Sequence, residues 1–330
     1  MPKTSLKSIG KKIVKAKTIL IASHINPDFD AVGSSVGLYL ILKKLGKKVS
    51  IVSSFEEYPW DFFKNLINNQ LYQNYDLAIL LDYGQFYRLD KKALKILKDK
   101  NIFLITIDHH FLQTQKGDLL LIDTTKSSTS EIIYDLAKSM NWLITKEASL
   151  ALLTGIYYDT GGFIYERVNK NLFEKVGDLL IEPGMLSKIK SFENNWQNLE
   201  QLKLFAKYLK KYLKLVKIDK KLSFAYCVIK EEPHGINEKL LLFMHSKLSD
   251  FLLEIKDVQI SLVLRKLDSQ KWKGSLRGLS YLNGVDLNKI ASYFNGGGHY
   301  NASGFESDLE SATIIKKIKK LIKDNKLDYD

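Results

Sequence analysis

The chain has a single cysteine, Cys227, so no disulfide can form within it. That residue sits in the apolar run Phe224-Ala225-Tyr226-Cys227-Val228-Ile229. With no basic neighbour in sequence to lower its pKa, it reads as a buried structural thiol and not a nucleophile. Long apolar runs are also missing: no stretch approaches the roughly 18 residues of a membrane span. The basic N-terminus is followed only by the short apolar run Thr18 to Ala22, too brief for a signal segment. Internal repeats and low-complexity segments are absent. Together these absences predict a cytoplasmic protein of a reducing compartment, without disulfide or membrane partner.

Lysine plus arginine number 50 against 37 acidic residues, a formal charge of +13. A positive field favours anionic partners such as nucleic acid, nucleotides or an acidic membrane surface. The same excess is equally well read as a lysine-rich composition that serves solubility. At 330 residues the chain exceeds the size at which single cores stop growing, about 250 residues, so two domains are expected.

Strand and helix signals alternate through the first half. Thr18 to Ala22, Lys48 to Val52, Asp76 to Leu81, Ile102 to Ile107 and Leu119 to Ile122 read as strands. Helical spacing covers Ala31 to Leu45, Lys91 to Asp99, a stretch capped by Ser127-Ser128-Thr129-Ser130-Glu131 that reaches about Met140, and Glu147 to Tyr158. This rhythm predicts an α/β fold with a mainly parallel, doubly wound sheet. Asn195 to Val216 reads as a helical connector. Beyond it, Phe224 to Ile229, Val258 to Leu264 and Gly274 to Arg277 read as strands, and Leu287 to Phe294 and Ala312 to Lys326 as helices.

Ligands of open α/β sheets bind beyond the carboxyl ends of the strands. There this sequence places His24-Ile25-Asn26-Pro27-Asp28-Phe29-Asp30, Asp82-Tyr83-Gly84 and Asp108-His109-His110. A fourth segment, Asp159-Thr160-Gly161-Gly162-Phe163, follows a helix. Singly, Asp82 or Asp159 reads as a turn residue. As a group they read as ligands, because so many carboxylates repel one another unless cations offset the charge. Oxygen and imidazole donors without thiolate suit Mn²⁺ or Mg²⁺. So many donors suit two ions, about 3.5–4 Å apart, the arrangement used for in-line attack on phosphate.

These motifs, in this order, resemble the DHH phosphoesterase family, named for the triplet seen here as Asp108-His109-His110. The run Gly296-Gly297-Gly298-His299, followed by Ala302-Ser303-Gly304, is similar to the associated DHHA1 domain. The resemblance implies a DHH catalytic domain over residues 1–190, a helical linker over 191–218 and a smaller α/β DHHA1 substrate domain over 219–330. It implies that His24 and Asp28 hold one metal, that Asp30, His109 and Asp159 hold the other, and that Asp82 bridges both. Asp108 would orient a ligand imidazole, and His110 would touch the phosphate or leaving group. Arg88, Arg277, Gly296, Gly297, Gly298 and His299 would bind substrate phosphates. Without the resemblance, the glycine cluster reads as a flexible turn, and Arg88 as either a phosphate ligand or a partner of Asp90.

The short members of that family resemble this chain best. They imply hydrolysis of very short RNA to 5′-mononucleotides and removal of a phosphate from 3′-phosphoadenosine 5′-phosphate, with manganese preferred and magnesium as the alternative. A phosphodiesterase for linear or cyclic dinucleotides is the runner-up, and a non-catalytic nucleic-acid-binding module a third reading. Dimers occur among related proteins, which leaves a homodimer open.

Overall fold

The structure is a computed structural model that describes residues 5–25, 27–52, 61–84, 86–99, 102–110, 116–192, 199–220, 222–231, 238–267, 270–279 and 285–324. The chain divides into two units, Met1–Asn195 and Trp196–Asp330.

In the first unit the elements run α1 (Leu6–Lys15), β1 (Thr18–Ala22), α2 (Phe29–Lys44), β2 (Lys48–Val52), α3 (Asp61–Lys64), β3 (Leu77–Leu81), α4 (Lys91–Asp99), β4 (Phe103–Asp108), β5 (Leu119–Ile122), α5 (Thr129–Ser139), α6 (Lys146–Asp159), α7 (Lys170–Leu179) and α8 (Met185–Ser191). The five strands are parallel, in the order β2-β1-β3-β4-β5. Side chains of a strand alternate between faces. Thus Ile19, Ile21, Ile79 and Ile105 pack with α1, α2, α5 and α6 on one face. Leu20, Ala22, Ala78 and Leu80 pack toward Ala93 and Leu94 of α4 on the other. Every residue of β3 is buried, which explains its unbroken apolar run. Each such Leu or Ile contributes roughly 1.5–3 kcal/mol by leaving water.

The strand order reverses between β1 and β3, a topological switch point where such sheets open a crevice for ligands. The His24–Asp30 segment leaves β1 and Asp82 leaves β3, so sequence-distant residues meet there. Helix α2 also lies hard against α6. A Cβ on Gly33 would come 2.5 Å from the Ala151 carbonyl, and one on Gly155 would come 2.7 Å from Asp30 Oδ1. Glycine at these positions lets the start of α2 approach the end of α6, and so brings Asp30 toward Asp159.

The second unit runs α9 (Leu199–Tyr212), β6 (Leu213–Lys217), β7 (Ser223–Ile229), α10 (Glu238–Phe251), β8 (Val258–Lys266), β9 (Trp272–Gly278), α11 (Leu287–Ser292), β10 (Gly297–His299), β11 (Ala302–Ser307) and α12 (Ser311–Asp324). Its sheet has the order β10-β11-β9-β8-β7-β6. Only β7 and β8 are parallel among these described strands. Phe224, Ile260, Leu262 and Leu276 pack with Ile314 and Ile318 of α12 on one face. Ala225, Cys227 and Val263 pack with Phe205, Met244 and Leu248 on the other. Burial pushes the Cys227 thiol up to about 12, which suits an inert core residue.

Two elements differ from the sequence reading. The helical stretch expected to run to Val216 ends at Tyr212, and Leu213–Lys217 pairs antiparallel with β7 instead. The Leu-Lys alternation there fits an exposed edge strand, and the open edge of β7 decides the choice. The start of that stretch, residues 195–198, lies outside the described residues. The glycine cluster is also more than a turn. Gly297 and Gly298 belong to β10, paired with β11, and Gly298 has φ +146, with a virtual Cβ 2.5 Å from the Ala302 carbonyl. Only glycine accepts that backbone and that approach.

Candidate metal centre

The first segment is organised by the start of α2. Asp28 is its N-cap, and Oδ1 accepts from the amides of Asp30 and Ala31 at 3.1 and 3.0 Å. Its Oδ2 lies 3.7 Å from His24 Nε2. The other nitrogen of that ring, Nδ1, lies 2.8 Å from the Ile25 carbonyl. A carbonyl only accepts, so Nδ1 donates to it and Nε2 is the atom that faces Asp28.

Asp30 is buried at the N-terminus of α5. Its Oδ2 accepts from the Thr129 amide at 2.6 Å and its Oδ1 from the Ser130 amide at 2.9 Å. These are unsatisfied first-turn donors of a helix, whose dipole also favours a negative charge. The helix end is itself fixed from behind. Glu131 Oε2 accepts from the Ser127 amide and hydroxyl, and Lys175 bridges Glu131 and Asp135 at 2.7 Å each.

Asp82 leaves β3 with φ +50, a left-handed backbone that turns its side chain off the strand path. Its Oδ1 accepts from the Thr129 hydroxyl at 3.0 Å. Its Oδ2 is buried with no hydrogen-bond partner among the described residues. Asp108 secures the same turn: Oδ2 accepts from the amides of Tyr83 and Gly84 at 3.0 and 3.1 Å. Its Oδ1 accepts from the His110 amide and lies 2.8 Å from His110 Nδ1. Asp108 therefore holds the His110 ring. His109 instead turns Nε2 toward Asp159 Oδ2 at 3.1 Å, Asp82 Oδ1 at 3.7 Å and Asp30 Oδ2 at 4.0 Å.

Three donor groups result, each with ligand atoms within 4.8 Å of one another: His24, Asp28 and Asp82; Asp30, His109 and Asp159; and Asp82, His109 and His110. Their electrostatics show the strain of assembling them. Burial, then the charge of Asp82, raises the Asp30 carboxyl well above its usual range. Burial, then Asp30, does the same to Asp159. Burial raises Asp82 as well, and His110 only partly offsets it. Burial disfavours a charged His110, but hydrogen bonds to Asp108 and Asp82 outweigh that and push it up to about 11. An unpartnered carboxylate oxygen and repelling acids, with oxygen and nitrogen donors only, fit divalent cations. Acidic and histidine groups here could thus bind metal.

The expected substrate residues are spread more widely. Arg88 Nη2 lies 3.4 Å from His24 Nδ1. Arg277 is in β9, with Nε 3.6 Å from Asp250 Oδ1. The His299 side chain lies outside the described residues. Sequence reasoning missed Thr129 and Ser130, taken only as a helix cap, and Arg167, whose Nη1 lies 3.2 Å from His109 Nδ1.

Residues 18–156 match the DHH family N-terminal domain, and residues 222–324 match the DHHA1 domain. The chain belongs to the DHH family, with both domains in their expected order. It is similar to a probable bifunctional oligoribonuclease and PAP phosphatase of Streptococcus mutans, 33% identical over 54% of this chain and 56% of that one. The chain thus spans about half the length of that curated relative. A Mycoplasma genitalium bifunctional oligoribonuclease and PAP phosphatase is 26% identical over 92% of this chain and 93% of its own. The crystal structure of an exopolyphosphatase-related protein from Bacteroides fragilis superposes with a TM-score of 0.75 at 26% identity, covering 97% of this chain and 95% of that one. No described helix is long and apolar enough to cross a membrane.

Proposed function

We propose that this chain is a two-metal phosphoesterase that hydrolyses very short RNA to 5′-mononucleotides and removes the 3′-phosphate of 3′-phosphoadenosine 5′-phosphate. The observation that carries the reading is Asp82. It shares one donor group with His24 and Asp28 and another with His109 and His110, and its Oδ2 is buried without a partner among the described residues. The names of the Streptococcus and Mycoplasma relatives support the substrate class.

In this reading His24 and Asp28 would hold one ion, Asp30, His109 and Asp159 would hold the other, and Asp82 would serve both. Manganese is preferred, with magnesium as the alternative. Such ions supply Lewis acidity to water and phosphate. The chain's own residues do the rest. Both substrates lose the same bond: water oxygen joins phosphorus, the P–O3′ bond breaks, and the departing 3′-oxygen takes a proton. His110, whose ring Asp108 holds through Nδ1, supplies that proton. Arg88 binds phosphate oxygens beside His24. Arg277 and the Gly296–His299 run are assigned to phosphate binding in the second domain.

The test is a Mn²⁺-dependent substrate panel on the native chain and Asp82→Asn. It comprises 3′-phosphoadenosine 5′-phosphate and RNAs of two, five and twenty nucleotides. The native chain should release AMP from the bisphosphate and cleave the two short RNAs faster than the long one. Asp82→Asn should lose all these activities. Retained activity in that variant would remove the bridging role, and faster turnover of the twenty-mer would remove the short-substrate reading. Turnover confined to dinucleotides would favour the dinucleotide phosphodiesterase.

A further inference from the structure

The chain has only 4 arginines against 46 lysines. Two of the four reach the metal centre, each at the Nδ1 atom of a different histidine. Arg88 stands at His24, and Arg167 stands at His109. Those histidines belong to different donor groups. Arg167 lies outside every motif described above, on the connection between α6 and α7.

Its contacts are unusual for a surface cation. Arg167 Nη1 donates to the Lys126 carbonyl at 3.2 Å and lies 3.2 Å from His109 Nδ1. Among the described residues its guanidinium meets no carboxylate, and Nη2 and Nε make no hydrogen bond. The side chain is exposed, so those donors face solvent at the edge of the centre. The nearby lysines behave differently: Lys126 and Lys175 are both committed to Glu131 and Asp135.

We infer that Arg167 is a substrate-binding residue that takes two oxygens of a nucleotide phosphate on the His109 side of the centre, as Arg88 does on the His24 side. A planar guanidinium offers parallel N–H donors that match phosphate, which a lysine ammonium cannot reproduce. A single lysine donor would serve to tether the Lys126 carbonyl, so what arginine adds here is the further pair of donors, Nη2 and Nε. The ligand class rests on the phosphoesterase reading above.

The experiment is calorimetric titration of the full-length, Mn²⁺-loaded protein with AMP, for native, Arg167→Ala and Arg167→Lys. Mn²⁺ affinity and melting temperature are measured on each. AMP affinity should weaken about tenfold or more in both variants, with Mn²⁺ affinity within about twofold of native. Unchanged AMP affinity overturns the inference. An AMP loss matched by an equal loss of Mn²⁺ affinity also overturns it, because Arg167 would then act only by positioning His109. The titration needs no turnover, so an inactive native chain that still binds AMP through Arg167 would sink the hydrolase reading and leave this one standing. A native chain that binds neither AMP nor inorganic phosphate would overturn both.

Discussion

Asp30 Oδ2 accepts a 2.6 Å hydrogen bond from the backbone amide of Thr129, 99 residues further along the chain. That bond joins the first turn of α2 to the first turn of α5. It leaves the carboxylate oriented by main-chain donors whose positions a side-chain substitution hardly alters.

Thr129 also holds Asp82 through its hydroxyl. Thr129→Val keeps the amide bond to Asp30 and removes only the hydroxyl bond to Asp82. Mn²⁺ affinity should fall about tenfold, in the range of other groups that orient ligands, while the melting temperature changes little. Calorimetric titration with Mn²⁺ and a thermal melt check this. Unchanged affinity would mean that Asp82 needs no support from Thr129.

Gly155→Ala should damage fold and centre together. The added Cβ would come 2.1 Å from Ser130 Oγ and 2.7 Å from Asp30 Oδ1. Overpacking of this kind costs about 1–3 kcal/mol. Denaturant unfolding should show that loss, and Mn²⁺ binding should weaken because Asp30 must move. A variant as stable as native would show that α2 and α6 separate easily.

The metal-free protein should lose stability as pH rises. Burial and mutual repulsion raise the carboxyl pKa values of Asp30, Asp82 and Asp159 in the folded state. A raised acid binds more protons folded than unfolded, so its contribution is present below the raised pKa and falls as pH climbs from the usual carboxylate range. His110, pushed up to about 11, adds a loss of the same sign above its ordinary value. Melting temperatures of EDTA-treated protein across about pH 5 to 8 should therefore decline. Added Mn²⁺ should raise stability most at the high end, where the carboxylates are ionised. A flat metal-free profile would contradict the assigned shifts.

Lys175→Met should unfold the chain more readily. Lys175 is buried and pairs with Glu131 and Asp135 at 2.7 Å. Removing one partner of a buried ion pair typically costs about 3–5 kcal/mol, and the loss here should fall below that range because Lys126 still faces Glu131 and Asp135 at 3.4 and 2.6 Å. Chemical denaturation measures this. A second substitution, Glu131→Gln, should recover part of the loss, because Glu131 is the acid that Lys126 pairs less closely.

Strand and helix identities of the first domain were legible in the sequence because covered parallel strands need continuous apolar runs, as in Leu77–Leu81. The acidic and histidine residues at their ends were legible for the complementary reason: charge after an apolar strand marks a sheet edge. The resemblance to the DHH family depended on those same residues, and His24, Asp28, Asp30, Asp82, His109 and Asp159 do come together.

What the sequence by itself determined was thus the period of its apolar residues and the chemical type of the donors at strand ends. Only the tertiary structure decided which groups those donors address. Asp108 reaches His110 because both leave β4 in one turn, and Asp30 meets the α5 amides because Gly33 and Gly155 let two helices close. Leu213–Lys217 became a strand because β7 had an open edge, and Arg167 reached His109 across a loop. Local spacing encodes which face a residue takes, whereas partners far apart in sequence are chosen by packing.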